Sequence, residues 1–233
     1  MKRTMDRTKS AALAAALLAA TGDISHGAEE GVTVWVTSSQ PRWEVAIGAH
    51  NWPGLADLNV AREGSFDAVG FNLSLAGHMP VRRLGRGQLY AGIDLGLMSN
   101  ESDIRFRSDT LVARNGYITP SVKWMFGHQH RYSLDAGIGY YLQDVAEVAS
   151  GYGTYWETQL WEDGAVGGYV GGTLDFGSSE PGKTHGISVN LKVHFVEFGR
   201  VSDEDIVFPV TLGQDAGRLS GPIYAFQIGY QWQ

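Results

Sequence analysis

The chain ends in a strict alternation. Tyr224, Phe226, Ile228, Tyr230 and Trp232 occupy one parity, and Ala225, Gln227, Gly229, Gln231 and Gln233 the other. A two-residue period is that of an extended strand with one large apolar face and one small or polar face. Seven upstream segments repeat it. Trp43, Val45, Ile47 and Ala49 form the apolar set of the first, and Val69, Phe71, Leu73 and Leu75 that of the second. Leu89 to Leu97, Ile118 to Phe126, Tyr132 to Leu142, Val166 to Phe176 and Ile187 to Phe195 supply the rest, each on alternate positions.

The opposite faces decide what lies against the apolar ones. They carry Glu44, Asp94, Lys123, Asp135, Asp175, Lys192 and His194 among many glycines and serines. A soluble barrel puts its apolar side chains inside and its charges outside. A continuous apolar face backed by a small, charged, glycine-rich one is the arrangement of a barrel with lipid outside. The expected fold is therefore all-β, an eight-stranded antiparallel up-and-down transmembrane β-barrel. Trp43, Trp124, Tyr224, Phe226, Tyr230 and Trp232 are its expected lipid-facing aromatics. The seven interior residues should form a charge network that fills the lumen, because an unpaired buried charge is costly. Pro120 cannot donate to a ladder, which predicts a local defect or bulge there.

Connections follow the same logic. Residues 51–65, 100–115, 145–164 and 199–221 predict four long external loops, while "GHQH" and "GSSEPGK" predict short turns at the other end. The remaining turn, "HMPVRRLGRG", is long for that end. Residues 31–39 either extend the first strand or form a lead-in.

Composition narrows the compartment. The chain has 233 residues, no cysteine and a net charge of −7, which leaves neither disulfides nor thiolate metal sites and argues against a nucleic-acid partner. Lys2, Arg3, Arg7 and Lys9 precede an apolar run at 11–20, and small residues precede Ala28, the pattern of a secretory signal over 1–27. Its removal takes away four basic and two acidic residues and leaves a net charge of −9. The domain expectation is a signal peptide at 1–27, a lead-in at 28–41 and the barrel at 42–233.

The segment Gln227-Ile228-Gly229-Tyr230-Gln231-Trp232 resembles the insertion signal that the barrel-assembly machinery reads at the end of bacterial outer-membrane barrels. Gln227, Gly229, Tyr230 and Trp232 stand at its polar, glycine and aromatic positions, and the chain then ends in Gln233. The whole is similar to small outer-membrane barrels of the OmpA and OmpW kind. That resemblance implies an outer-membrane location, with membrane lipid and lipopolysaccharide as partners and no cofactor. "SLDAGIGYYL", "LWED" and "KVHFVEFG" also resemble stretches of lipid A 3-O-deacylases. In that family a serine attacks, a histidine acts as base and a glutamate orients it. The resemblance would give His194 and Glu162 the last two roles, but Val196 stands where the serine belongs.

Other constellations are weak. His128 and His130 do not complete a metal site, and the acidic residues of "SDED" and Asp215 read as solvated loop. Tyr152, Tyr155, Trp156 and Trp161 suggest an aromatic girdle or a strand extension. The glycines form no phosphate-binding loop. Function is expected to be that of a non-enzymatic envelope protein whose external loops contact lipopolysaccharide, ligands or surfaces. A lipid A-modifying esterase and a narrow channel are the alternatives.

Overall fold

The alternation carries directly into strands. A computed structural model describes residues 40–56, 66–85, 87–103, 110–127, 131–151, 154–177, 185–201 and 217–233. The expected signal peptide, nearly all of the lead-in, the histidine pair at 128 and 130, and the 202–205 cluster lie outside them. The strands are β1 (Arg42–Asn51), β2 (Val69–Leu84), β3 (Gly87–Asp103), β4 (Thr110–Phe126), β5 (Tyr132–Gly151), β6 (Thr154–Phe176), β7 (His185–Val201) and β8 (Gly217–Trp232). Each pairs antiparallel with its sequence neighbour, and β1 pairs with β8 to close the ring. One short helix, α1 (Pro53–Ala56), follows β1.

Several strands run well past their expected ends. β5 and β6 stay paired out to Gly151 and Thr154, so residues 145–151 and 154–164, expected to be loop, are the paired arms of a long hairpin. β3 and β4 likewise remain paired to Asp103 and Thr110, so residues 100–103 and 110–115, expected to be loop, are strand. The long turn expected between the second and third segments is a strand extension as well: Leu84 pairs with Gly87, and Gly85 takes the left-handed conformation (φ 59°) that glycine tolerates.

Pro120 produces no bulge. It keeps its place opposite Ile93, and the β4–β5 register is the same on both sides of it. Pairing with β5 simply lapses at Thr119 and Pro120, the local defect that a residue without an N–H imposes.

The ring is complete only over part of its height. β6 and β7 pair from Phe176↔Ile187 up to Gly168↔Phe195, and then separate. Above that level β6 pairs with β5 alone and β7 with β8 alone. β3 to β6 thus continue as one sheet and β7–β8 as a hairpin. Between them lies an apolar core of Met98, Leu111, Tyr141, Val145, Leu160, Val196, Phe198, Leu219 and Ile223, capped by Trp52 and Leu55 from the α1 corner. Trp52 packs against Phe198 with ring centroids 6.1 Å apart.

Candidate functional site

Two faces with opposite chemistry define the lower barrel. Outside, Ile47, Leu73, Ile93, Ile118, Ile138, Val170, Leu191 and Ile228 are all exposed, as are Trp43, Tyr224, Phe226 and Tyr230 of the expected aromatic set. Trp124 and Trp232 lie on the same face, half-buried by stacking on Phe126 (4.6 Å) and Tyr230 (6.0 Å). Outward apolar positions on β5 run from Tyr132 to Leu142; at about 3.3 Å per residue and a tilt of about 40° they cover about 25 Å, the height of a bilayer's apolar slab. Exposed aliphatic surface of that height and continuity has no aqueous solvent that suits it. The lower barrel is built to stand in lipid.

Inside, the charges meet in pairs across the lumen. Lys123 of β4 donates to Glu44 of β1 at 3.1 Å, and Glu44 also accepts from Ser188 (2.6 Å) and Asn190 (2.5 Å) of β7. Lys192 of β7 donates to Asp94 of β3 and lies 4.8 Å from the centroid of the Tyr169 ring. Asp175 of β6 accepts from Arg42 at 2.7 Å, and Arg42 also reaches Gln231 at 3.0 Å. Asp135 is buried opposite Lys123 in the register, with no ion pair among the described residues.

The alternation explains why these groups converge. Every second residue of each strand points inward, and a narrow eight-stranded lumen brings long side chains from opposite walls into contact. Glycines make the room. A Cβ on Gly229 would sit 2.6 Å from Glu44 Oε1 and 2.3 Å from Ser188 Oγ, so the glycine of the C-terminal signal segment doubles as space for the Glu44 carboxylate. Its neighbour Gln227 points inward and donates to Ser74 at 3.0 Å.

His194 is fully buried among three tyrosines. Its Nδ1 lies 3.0 Å from the Tyr141 hydroxyl, and the rings of Tyr117 and Tyr169 are 5.0 and 5.4 Å away. His194, expected to belong to the interior charge network, thus has a phenol as its partner. Glu162 does not approach His194. It is exposed on the outward face of β6, accepting from Gln159 at 2.6 Å, whereas His194 pairs with Tyr169, seven residues further along that strand. Parity holds through Val196 and Phe198, both inward and buried, and the β7 register shifts only between Glu197 and Arg200. Among the described residues neither a serine nor a glutamate stands beside His194 to make up a triad.

Three features were not anticipated from the sequence. Arg42, two residues before Glu44 and so on the same face, completes the network at its lower end. His78 and Ser121 sit 3.0 Å apart in nucleophile–base fashion, both buried within the lumen. Above the lipid-facing belt the face chemistry inverts. Leu111, Val145, Leu219 and Ile223 point inward, while Arg114, Asp144, Glu157 and Glu162 lie outside. Arg114 pairs with Glu157 at 2.7 Å and stands 3.7 Å from Asp144. The hydrogen bond from Arg114 holds the Glu157 carboxyl below its ordinary range, whereas burial pushes that of Asp144 up.

No protein-family model and no curated protein matches the chain. Among solved structures it is similar to Neisserial surface protein A (11% identity, TM-score 0.43, covering 82% of this chain and 96% of that one). It is also similar to the β domain of the Bordetella autotransporter BrkA (11%, 0.43, 83% and 98%) and to the outer membrane protein OprG from Pseudomonas aeruginosa (8%, 0.39, 84% and 97%).

Proposed function

We propose that the chain is an outer-membrane protein of a Gram-negative envelope, exported with a cleaved signal peptide and inserted by the barrel-assembly machinery. Both barrel ends of the chain, Arg42 and Trp232, lie at the end where Leu84 and Gly87 close the β2–β3 turn, and in such barrels the termini are on the periplasmic side. The protein is non-enzymatic. Its strands carry the connections on the opposite side beyond the outer leaflet, to contact lipopolysaccharide, ligands or surfaces.

The observation that carries this reading is the inversion of faces. Ion pairs cross the interior at the level where the exterior is aliphatic, and the cluster of large aliphatic groups turns inward above that level. The esterase alternative lacks a nucleophile at Val196 and has Glu162 and His194 on opposite faces of the wall. The channel alternative is opposed by a lumen occupied by Arg42, Lys123 and Lys192 below and by an apolar core above.

The test is heat-modifiability in an outer-membrane fraction. A folded closed barrel migrates differently from its boiled form on a denaturing gel. A soluble periplasmic protein without that shift rejects the reading.

A further inference from the structure

The end of the barrel that holds the β2–β3 turn carries two arginines that no ion pair among the described residues uses. Arg42, Arg114 and Arg218 each meet a carboxylate. Arg82 and Arg83 are exposed, and no carboxylate among the described residues reaches either. Their placement comes from the backbone. Between Pro80 and Arg82 the β2–β3 register shifts by one residue, with Val81 as the extra position. After the shift Arg82 stands opposite Leu89, which stands opposite Trp124 on β4. Leu89 and Trp124 belong to the outward parity, so Arg82 lies in the same outward row as the aromatic belt. Bulges re-aim side chains in this way. Arg83, also exposed, stands opposite the buried Gln88 and so takes the other parity, at the rim of this barrel end. Val81 and Leu84, both exposed and apolar, flank the pair.

We propose that this end of β2 binds the phosphodiester of an anionic phospholipid in the inner leaflet, an inference that rests on the membrane reading above. The row of Arg82 and Trp124 marks the boundary between acyl chains and headgroups, because Trp rings settle there. An arginine at that depth lays its stem along apolar neighbours and lifts its guanidinium to the phosphates. The planar fork of donors matches two phosphate oxygens at once. At the opposite border of the belt Arg114 and Arg218 each meet a carboxylate, Glu157 and Glu197, whereas no carboxylate among the described residues pairs with the two arginines of the lower border.

The experiment uses the full chain folded into bilayers of equimolar phosphatidylcholine and phosphatidylglycerol. Lipids that stay with the protein through stepwise detergent extraction are identified by mass spectrometry. Wild type should retain phosphatidylglycerol preferentially, by about fivefold or more at low salt with Arg82 as the main contributor, and less as salt is raised. Arg82→Gln/Arg83→Gln should lose the preference, Arg82→Lys/Arg83→Lys should keep part of it, and Arg218→Gln at the far end should leave it unchanged. Equal retention of the two lipids by wild type, or an undiminished preference in the glutamine pair, overturns the proposal. Gel mobility of the same samples separates the two readings. A protein that inserts without preference refutes the lipid site alone, and one that never inserts refutes the membrane assignment with it.

Discussion

Lys123 and Glu44 meet at 3.1 Å from opposite walls of the barrel, β4 and β1, and tie together strands that share no ladder. Both side chains are almost wholly removed from solvent. The two partners should not be equivalent in mutation. Lys123→Met leaves the Glu44 carboxylate buried without its cation and should cost about 3 kcal/mol. Glu44→Gln leaves a lysine whose register neighbour is Asp135, to which it can turn, and should cost distinctly less. Urea unfolding in vesicles reads both values, and a larger loss for Glu44→Gln would refute the rescue by Asp135.

Closure of the ring depends on Gly48. A Cβ there would lie 1.9 Å from the backbone oxygen of Phe226 and 2.7 Å from the Cα of Gln227, on the strand that β1 must join. No rotamer relieves a clash with backbone. Gly48→Ala should abolish the heat-modifiable form, whereas Gly116→Ala, whose Cβ meets nothing within 4 Å, should fold as wild type does.

The upper core should fail separately from the membrane-embedded part. Phe198 is buried between Trp52 and Trp161. Phe198→Ala should remove about 3–5 kcal/mol from that region. Limited proteolysis should then cut near α1 or the β7–β8 connection, while the gel shift of the lower barrel persists. Loss of the gel shift itself would show that the two parts fold as one unit.

Asp163 bridges the separation between β6 and β7. One of its oxygens accepts from the Gly199 amide at 2.6 Å and the other from the Gly164 amide at 2.8 Å. Asp163→Ala removes hydrogen bonds to a charged acceptor, and should weaken local protection by about 1–3 kcal/mol. Hydrogen exchange at Gly199 should accelerate accordingly, with exchange in the lower β6–β7 ladder unchanged.

Acid should act on the Arg114 cluster with two opposite signs. Glu157 has a lowered pKa in the folded chain, so its contribution to stability is present above its ordinary value of 4.5 and disappears as pH falls through the folded value. Asp144 has a raised pKa, chiefly through burial, so its ionised form opposes folding once pH rises from 3.8 through the raised value. Asp144→Asn should therefore stabilise the extension at neutral pH and have no effect below pH 3.8, where the carboxyl is protonated folded or unfolded. Glu157→Gln should destabilise slightly at neutral pH and leave strongly acidic samples unaffected. Proteolytic susceptibility of the β5–β6 hairpin across pH reads both.

The lower barrel was legible in the sequence because its signal is local. Each strand states its own faces every two residues, and outward Ile47 and inward Glu44 can be sorted without knowing any partner. The upper region escaped the same reading because there the code reverses. Val145, Val196 and Phe198 are apolar on the inward parity, while Asp144, Glu162 and Glu197 are polar on the outward one, so a search for aliphatic outward faces reads these stretches as loops. The register shift between Val145 and Ala146 in the β5–β6 ladder further scrambles the alternation near Leu160. Partnerships were less legible still. His194 meets Tyr117, Tyr141 and Tyr169 from three different strands, and nothing in the sequence near position 194 announces a phenol.

The β5–β6 hairpin gives the outer end of the protein a fixed reach. From Leu142, the last lipid-facing residue of β5, the strand continues nine residues to Gly151; at about 3.3 Å each and a tilt of about 40° this raises its tip about 23 Å above the hydrocarbon edge. A laddered hairpin buttressed by Val145 and Leu160 behaves as a mast rather than a tether. Whatever surface such a hairpin offers is already ordered, so a contact made there would carry little of the ordering entropy that a slack loop demands.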